Sequence, residues 1–244
     1  SLIYLVSSLT KAEKKNVSIS ISNSKSNFAK LYHIILENKI STALSVREEY
    51  DSICKGSSFE TAVVYLYEFL LNSILELRKY QDVNFMLFDN ISKARILYEK
   101  SLYKECFSLL KKTKKKALEH ENNYALLISS RLELDYLLAL NYPEIEEKVL
   151  MKKQFKLNEA LLIIQKTNQI SSLLELLKHR MLYLGNSRTE FQKNNLNDLV
   201  MSEMSIMNSF RKQNIEIRKL HQLFQANYLI DVGDYKSALR AFYE

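Results

Sequence analysis

Glycine and proline are nearly absent from this chain, which has 3 glycines and 1 proline among its 244 residues. An average protein of this length would contain about 17 glycines and about 12 prolines. These two residues form turns and interrupt regular structure, whereas the charged and aliphatic residues that dominate here favour helix. The sequence therefore predicts an all-α protein in which helix follows helix through very short turns.

The composition is that of an ordinary soluble domain, with 47% apolar and 26% charged residues. No apolar run approaches the roughly 20 residues of a membrane span. The apolar stretch 2–9 has no basic region before it and no small-residue cleavage site after it, so we do not interpret it as a signal peptide. Cys54 and Cys106 lie in apolar helical stretches, where we expect buried reduced thiols; a disulfide and a reactive thiol are the alternatives. We expect a cytoplasmic protein without a membrane segment.

The first 80 residues predict a small helical region. Thr10 and Glu13 have the spacing of a capping box that opens a helix. Residues 17–22 alternate between apolar residues and serine, which suits a strand, a linker or the tail of the preceding helix. We favour helix tail plus loop, because a lone strand has no visible partner here. Helices follow near 28–37, 43–54 and 59–80, and the last is apolar on most sides, which predicts a central, buried helix.

From residue 82 the pattern changes to paired helices joined by one or two residues. Such short joints force consecutive helices to pack antiparallel. We therefore predict two domains, 1–80 and 81–244, and we expect the chain to continue beyond Glu244 because 238–244 is an uncapped apolar helical pattern. The predicted helices of the second domain lie near 83–101, 103–120, 122–141, 144–167, 169–184, 189–209, 213–232 and 234–244.

Two segments of the second domain share a spacing of small, aromatic and large apolar residues. Small residues let the two helices of a hairpin approach, an aromatic residue after the turn wedges between them, and a large residue fills the groove toward the next hairpin. The matching residues, at offsets 0, 3, 9, 12 and 16, are Ala94, Leu97, Tyr103, Cys106 and Leu110 in the first segment and Ala226, Leu229, Tyr235, Ala238 and Phe242 in the second.

This spacing resembles the tetratricopeptide repeat, a helix–turn–helix unit of about 34 residues. The segment 233–239 is its most typical part, whereas the first copy has Ser101 and Leu102 in place of Gly-Asp, and 144–188 matches loosely. The resemblance implies a solenoid of stacked hairpins with a concave surface that binds a peptide or protein segment. Residues 9–15, taken with these hairpins, also resemble a bacterial type of protein with a tetratricopeptide-like tail and no established activity. The alternative is a generic antiparallel helical bundle.

Catalytic and metal-binding patterns are missing from the sequence. The four histidines and two cysteines are far apart in the sequence, so no pair of them has a spacing typical of a metal site. Glu144, Glu146 and Glu147 follow Pro143, where the helix dipole favours carboxylates, so capping explains them. With no nucleophile–base pair and no phosphate-binding glycine loop, we expect no enzyme, no metal and no cofactor; an enzyme with a site assembled from scattered residues is the least favoured alternative.

The net charge of +7 comes from one segment. Residues 93–116 contain nine Lys and Arg against two Glu, so the rest of the chain is balanced. On a helix whose inward face carries Leu109, Leu110, Thr113 and Ala117, four lysines spread around the outside. They form either a solvated face or a contact for an acidic peptide or a phosphate backbone. These lysines are Lys111, Lys112, Lys115 and Lys116.

We therefore expect a protein–protein interaction or scaffold module. The first alternative is a peptide- or ligand-responsive transcriptional regulator that binds DNA through the helices 28–37, 43–54 and 58–80. A recognition helix needs basic side chains on its first turns. Here those turns hold Ser57, Ser58 and Glu60, and no base occurs in this helix before Arg78, which makes DNA the less favoured partner.

Overall fold

The computed structural model describes residues 2–21, 26–37, 42–185, 187, 189–208 and 214–243. Every regular element within these residues is an α-helix, which confirms the predicted all-α class. The chain divides into two compact units, Ser1–Asp89 and Asn90–Glu244. The division falls inside one helix, later than the boundary at 80/81 that the sequence suggested, and each unit is described here by itself.

The predicted capping box opens Lys11–Ile21, which is the second helix of the first unit. The backbone N–H of Thr10 donates to Oε2 of Glu13 at 2.8 Å, and the N–H of Glu13 donates to Oγ1 of Thr10 at 3.3 Å. The helices of this unit are α1 (Leu2–Ser8), α2 (Lys11–Ile21), α3 (Asn27–Glu37), α4 (Ala43–Ile53), α5 (Phe59–Gln81) and the first part of α6 (Val83–Glu99).

The alternating segment 17–22 belongs to a helix as far as it is described. Val17 and Ile21 are both buried on the inner face of α2, one turn apart. Residues 17–21 are thus the expected helix tail, and Ser22 lies outside the described residues.

One apolar core holds the first unit together, and α5 packs against α2, α3 and α4. Ala62, Leu66 and Leu70 of α5 face this core. Val64 and Leu71 are exposed, so the prediction that α5 is buried on most sides is wrong for the described structure. The pattern of apolar residues does not show how many helices pack against α5. In the structure the three shorter helices α2, α3 and α4 cover one side of α5.

In the described part of the second unit, the end of α6 is followed by seven helices. α9 is continuous where the sequence predicted a joint at Asn168, and it starts after Pro143 rather than with it. Its 38 residues span about 57 Å at 1.5 Å per residue. These helices are α7 (Tyr103–Glu119), α8 (Asn123–Ala139), α9 (Glu147–Leu184), α10 (Glu190–Asn194), α11 (Asn197–Asn208), α12 (Ile215–Asp231) and α13 (Tyr235–Tyr243).

The long helix α9 is the element that the rest of this unit shares. α8 packs against both α7 and α9, while α11 and α12 also pack on α9, and α13 packs on α12. Ala94 at the end of α6 lies in one buried cluster with Cys106 and Leu110 of α7. Both predicted hairpins therefore bring their helices into contact, and stacking of the tetratricopeptide type remains a prediction.

Four of the turns in this unit close in the same way despite the shortage of glycine. The N–H donates to the carbonyl five residues earlier in the pairs Leu102–Leu97, Asn122–Ala117, Tyr142–Leu137 and Asp234–Leu229, at 2.8–2.9 Å. This bond is the signature of a Schellman C-cap, in which the residue before the donor is left-handed. Gly233 fills that position once, but Ser101, Glu121 and Asn141 fill it at φ 61°, 50° and 56°.

Candidate functional site

A cavity of about 300 Å³ lies between α7, α8 and α9. Buried charges and apolar side chains occur together in its wall. Because α8 packs against α7 on one side and α9 on the other, side chains from the two outer helices reach the same stretch of α8. The lining residues are Lys114, Leu118, Asn123, Leu126, Ser130, Glu133, Lys153, Lys156, Glu159, Ala160 and Ile163.

Glu133 bridges two lysines at this cavity, although its residue is only 7% exposed. Its Oε2 accepts a hydrogen bond from Nζ of Lys114 on α7, and its Oε1 accepts one from Nζ of Lys153 on α9 at 3.0 Å. The lysine side chains are themselves mostly buried, at 19% and 27% exposure. One carboxylate thus fixes two ammonium groups that come from different helices.

The environment of the bridge shifts the pKa values of its members. Burial disfavours the Glu133 carboxylate, but the hydrogen bonds and charges of Lys114 and Lys153 outweigh burial and hold the pKa of Glu133 below its usual range. Burial also lowers the pKa of Lys114; the hydrogen bond and charge of Glu133 oppose this, and the charges of Lys153 and Lys156 add to it. The glutamate is therefore ionised at neutral pH, beside an ammonium that the site makes harder to keep charged.

The remaining wall of the cavity is largely apolar. Leu118 of α7, Leu126 of α8 and Ile163 of α9 line it. Asn123 and Ser130 add an amide and a hydroxyl on the α8 side. A cavity that combines apolar walls with a few fixed polar groups is typical of a binding site, because the walls supply burial and the polar groups supply orientation.

The lysines that the sequence singled out lie outside this cavity. Lys111, Lys112 and Lys115 are exposed on α7 and Lys116 is half-buried. Lys115 pairs with Glu119 at 3.8 Å. Their contact with an anionic partner stays a prediction.

The lysine that the sequence analysis left out, Lys114, is the one that lines the cavity. Its position was readable in principle, because it stands four residues after the buried Leu110 and three before the buried Ala117. Residues at those spacings share a helix face.

The residues of the repeat spacing differ in burial: the small and aliphatic residues are buried or half-buried, and the aromatic residues are exposed. Ala94, Cys106, Leu110, Ala226 and Ala238 are buried, and Leu97 and Leu229 are half-buried. The aromatic members are exposed: Tyr103 only just, beside Tyr98 at 5.3 Å between ring centroids, and Tyr235 and Phe242 more fully. Their expected role as wedges and as the contact to a further hairpin stays a prediction.

A second buried carboxylate lies between α11 and α12. Glu203 has no exposed surface; one of its oxygens contacts Nδ1 of His221, and the other accepts a hydrogen bond from Nε2 of Gln225 at 3.1 Å. Near the end of α12, Asp231 is buried and its Oδ1 has no hydrogen-bond partner among the described residues. In the described part of the chain no three His, Cys, Asp or Glu side chains gather where they could hold a metal ion.

The cysteines are free and buried, one in each unit, and burial raises the pKa of Cys106. Among the described helices, none has the length and apolar character needed to cross a membrane. Comparison of the chain with protein-family models, with curated proteins and with solved structures found no match in any of the three searches.

Proposed function

We propose that residues 90–243 form a helical-hairpin module that binds a segment of another protein, with the cavity between α7, α8 and α9 as its binding site. The Glu133 bridge is the observation that carries this proposal. A buried carboxylate with two lysines is costly to assemble in a core that apolar residues could fill as well. Its place at an opening with apolar walls gives it a use, because fixed charges orient a ligand that the walls bury.

The proposal extends the likeness to tetratricopeptide repeats. Hairpins that leave one face uncovered stack on their neighbours and present a continuous binding surface. The contacts of Ala94 with α7 and of α12 with α13 support this arrangement, as does the exposed Phe242 at the position that would meet a further hairpin. We propose a scaffold or interaction role in the cytoplasm.

Binding fits the cavity better than catalysis does. Three of the five titratable groups that line the cavity, Lys114, Glu133 and Lys153, are engaged with one another, which leaves none of these three poised as a free acid or base. General acid–base catalysis needs a group that exchanges its proton with the substrate near the working pH. We therefore propose neither a reaction nor a cofactor for this chain.

DNA binding by residues 1–80 is the alternative proposal, and the first unit supports it less well. Arg47 of α4 is paired with Glu60 on the first turn of α5 at 3.0 Å and with Asp51 at 3.9 Å. A guanidinium that is engaged by two carboxylates is a poor phosphate contact. Retention of the full chain on DNA that falls steeply with salt and is lost in Arg47→Ala would favour the regulator over the scaffold.

Site-specific photo-crosslinking in the source cells tests the proposed binding site. A benzophenone amino acid replaces Leu118, which lines the cavity and is 57% exposed, or Leu239 on α13, which is 58% exposed and does not line it. We expect a discrete crosslinked protein band from the Leu118 position and none from the Leu239 position. Equal bands from both positions, or no band from Leu118, would remove the cavity as the binding site.

A further inference from the structure

The Lys114–Glu133–Lys153 bridge leaves both positive charge and hydrogen-bonding capacity in the cavity. An ammonium group has three N–H donors. One donor of each lysine is directed to Glu133, so two donors on each remain for an incoming acceptor. Lys156 lines the same cavity and adds a third ammonium.

The charges that line the cavity sum to a small positive excess. Lys114, Lys153 and Lys156 stand against Glu133 and Glu159, which leaves one positive charge unbalanced. Because the bridging lysines are largely removed from water, a charge placed beside them interacts more strongly than it would at the surface. A ligand with a single negative charge neutralises this excess without introducing another.

We propose that the segment bound in this cavity is acidic, with an Asp or Glu carboxylate held by Lys153, Lys156 and Lys114 and a neighbouring apolar side chain packed against Leu126 and Ile163. This inference rests on the proposed function and names the chemistry of the partner. It also gives Glu133 a role, because the bridge holds two lysines in place before the ligand arrives.

A carboxylate suits the cavity better than a phosphate backbone does. A nucleic acid presents repeated charges along an extended strand and needs a row of basic contacts, whereas the cavity offers one unbalanced charge beside leucine and isoleucine. An acidic peptide supplies one carboxylate and adjacent apolar groups within the same few residues.

Further lysines around the opening suit an acidic partner as well. Lys111 stands one turn before Lys114 on α7, and Lys152 stands one turn before Lys156 on α9; both are exposed. Exposed charges of this kind mainly raise the association rate of an oppositely charged partner. Lys111, one member of the exposed lysine face on α7, thereby gains a function beside the cavity.

Selection from a random dodecapeptide library displayed on phage tests the inference with the full chain as bait. The variants are Lys153→Met, which keeps the Lys114–Glu133 pair, and Lys156→Met, which changes an exposed residue that the fold tolerates. The matched control is Lys178→Met, which removes the same charge from an exposed position farther along α9. Circular dichroism verifies that the variants are folded.

We expect the selected pool to be enriched in Asp or Glu next to an apolar residue. A synthetic peptide from that pool should bind Lys153→Met and Lys156→Met at least about tenfold more weakly than the unaltered chain, and Lys178→Met equally well. Replacement of its acidic residue by the matching amide should cause a similar loss.

Each of the other outcomes overturns the inference of an acidic partner. They differ in whether the cavity remains the proposed protein-binding site. A pool enriched without acidic residues, but sensitive to Lys156→Met, refutes the acidic partner and keeps the cavity as a protein-binding site. No enrichment at all removes the proposed function as well. A DNA dodecamer or inorganic phosphate that binds in a Lys153-dependent manner, with no peptide selected, replaces the peptide by a phosphate ligand.

Discussion

The two units of this chain are built on different interiors. The buried residues of the first unit are almost all apolar and form one cluster that includes the rings of Tyr32 and Tyr50. The second unit has smaller apolar clusters, such as the one around Phe224, and it also buries the carboxylates of Glu133, Glu203 and Asp231. An apolar core stabilises a fold, whereas a buried carboxylate has to be matched by specific partners.

This difference indicates which residues stabilise each unit. It also supports the proposal that buried charges of the second unit take part in binding. A buried ion pair contributes little net stability compared with apolar residues of the same volume. The second unit therefore gains little in folding from the Glu133 bridge, and the bridge lies at an opening rather than deep inside. Four substitutions test this contrast.

The largest effect is expected in the apolar core of the first unit. Leu66 is fully buried in α5, so Leu66→Ala should lower the free energy of unfolding of this unit by about 2–5 kcal/mol through lost burial and the cavity it leaves. Urea unfolding measures the change, and hydrogen exchange of α5 peptides assigns it to the unit. Leu71→Ala, on the exposed side of the same helix, is the control and should cost far less; similar losses would refute the one-sided burial of α5.

The next largest effect is expected from breaking α9, which both halves of the second unit share. Asn168 is exposed in the middle of this helix, and Asn168→Pro removes a backbone donor and clashes with the preceding turn, at a cost of about 3 kcal/mol or more. Asn168→Ala should be neutral or slightly stabilising, because alanine is the better helix former. A proline variant as stable as the alanine variant would show that a joint exists at this residue after all.

The Glu133 bridge should give an intermediate effect that depends on pH. Glu133→Gln keeps the shape of the side chain but removes the charge that two lysines share, so we expect the second unit to lose about 1–3 kcal/mol at neutral pH. Glu175→Gln, an exposed residue on α9, is the matched control. Urea unfolding of the full chain, with hydrogen exchange of α8 peptides, reports the difference.

The acid side of the pH profile separates the bridge from a merely packed side chain. The pKa of Glu133 is lower in the folded state than in the unfolded chain, where it is about 4.3. Its contribution is therefore complete above that value and is lost as the pH falls through the folded pKa. The stability gap between the unaltered chain and Glu133→Gln should shrink below about pH 4; a gap that stays constant would contradict a charge-based role.

The helices were predictable from sequence because local signals specify them. The capping box at Thr10 rests on residues one turn apart, and the hairpin around Ala94 rests on a spacing within two consecutive helices; both are found as expected. The joint at Asn168 was wrong because asparagine costs a helix well under 1 kcal/mol, which is too little to end it amid helix formers. Buried Ile170 and Ala160 on either side help hold the helix together.

The cavity was not predictable because its key contact is long-range. Lys114 and Glu133 lie on different helices, and no local spacing rule pairs them. Apolar periodicity identified Leu109, Leu110, Thr113 and Ala117 as the inner face of α7; Leu109 is half-buried and the other three are buried. Four lysines were assigned to the outer face and Lys114 to neither face, so the lysine that carries its charge inward was missed. Only the packing of α7 and α9 on α8 shows that Lys114 has a partner.

The smallest effect is expected at the turns, where the two units again differ. In the first unit the turn after α4 contains a left-handed glycine, Gly56 at φ 83°, whereas in the second unit the turn before α7 contains a left-handed serine, Ser101 at φ 61°. A left-handed conformation costs a residue with a side chain about 1–2 kcal/mol. Glycine removes that cost, but it also increases the conformational entropy of the unfolded chain, which lowers stability by about 0.4–1 kcal/mol. Ser101→Gly should therefore stabilise the second unit by about 0.5–1 kcal/mol.

The same substitution inside the following helix gives the opposite sign. Ser108 is exposed in the middle of α7, where glycine is the poorer helix former, so Ser108→Gly should destabilise by about 0.5 kcal/mol. Paired urea titrations of the two variants, referred to the unaltered chain, resolve this difference in sign. If both variants lose stability, Ser101 is not held in the left-handed region, and the Schellman bond from Leu102 to Leu97 does not close this turn. If Ser101→Gly gains stability, the left-handed serine costs the second unit free energy that glycine restores.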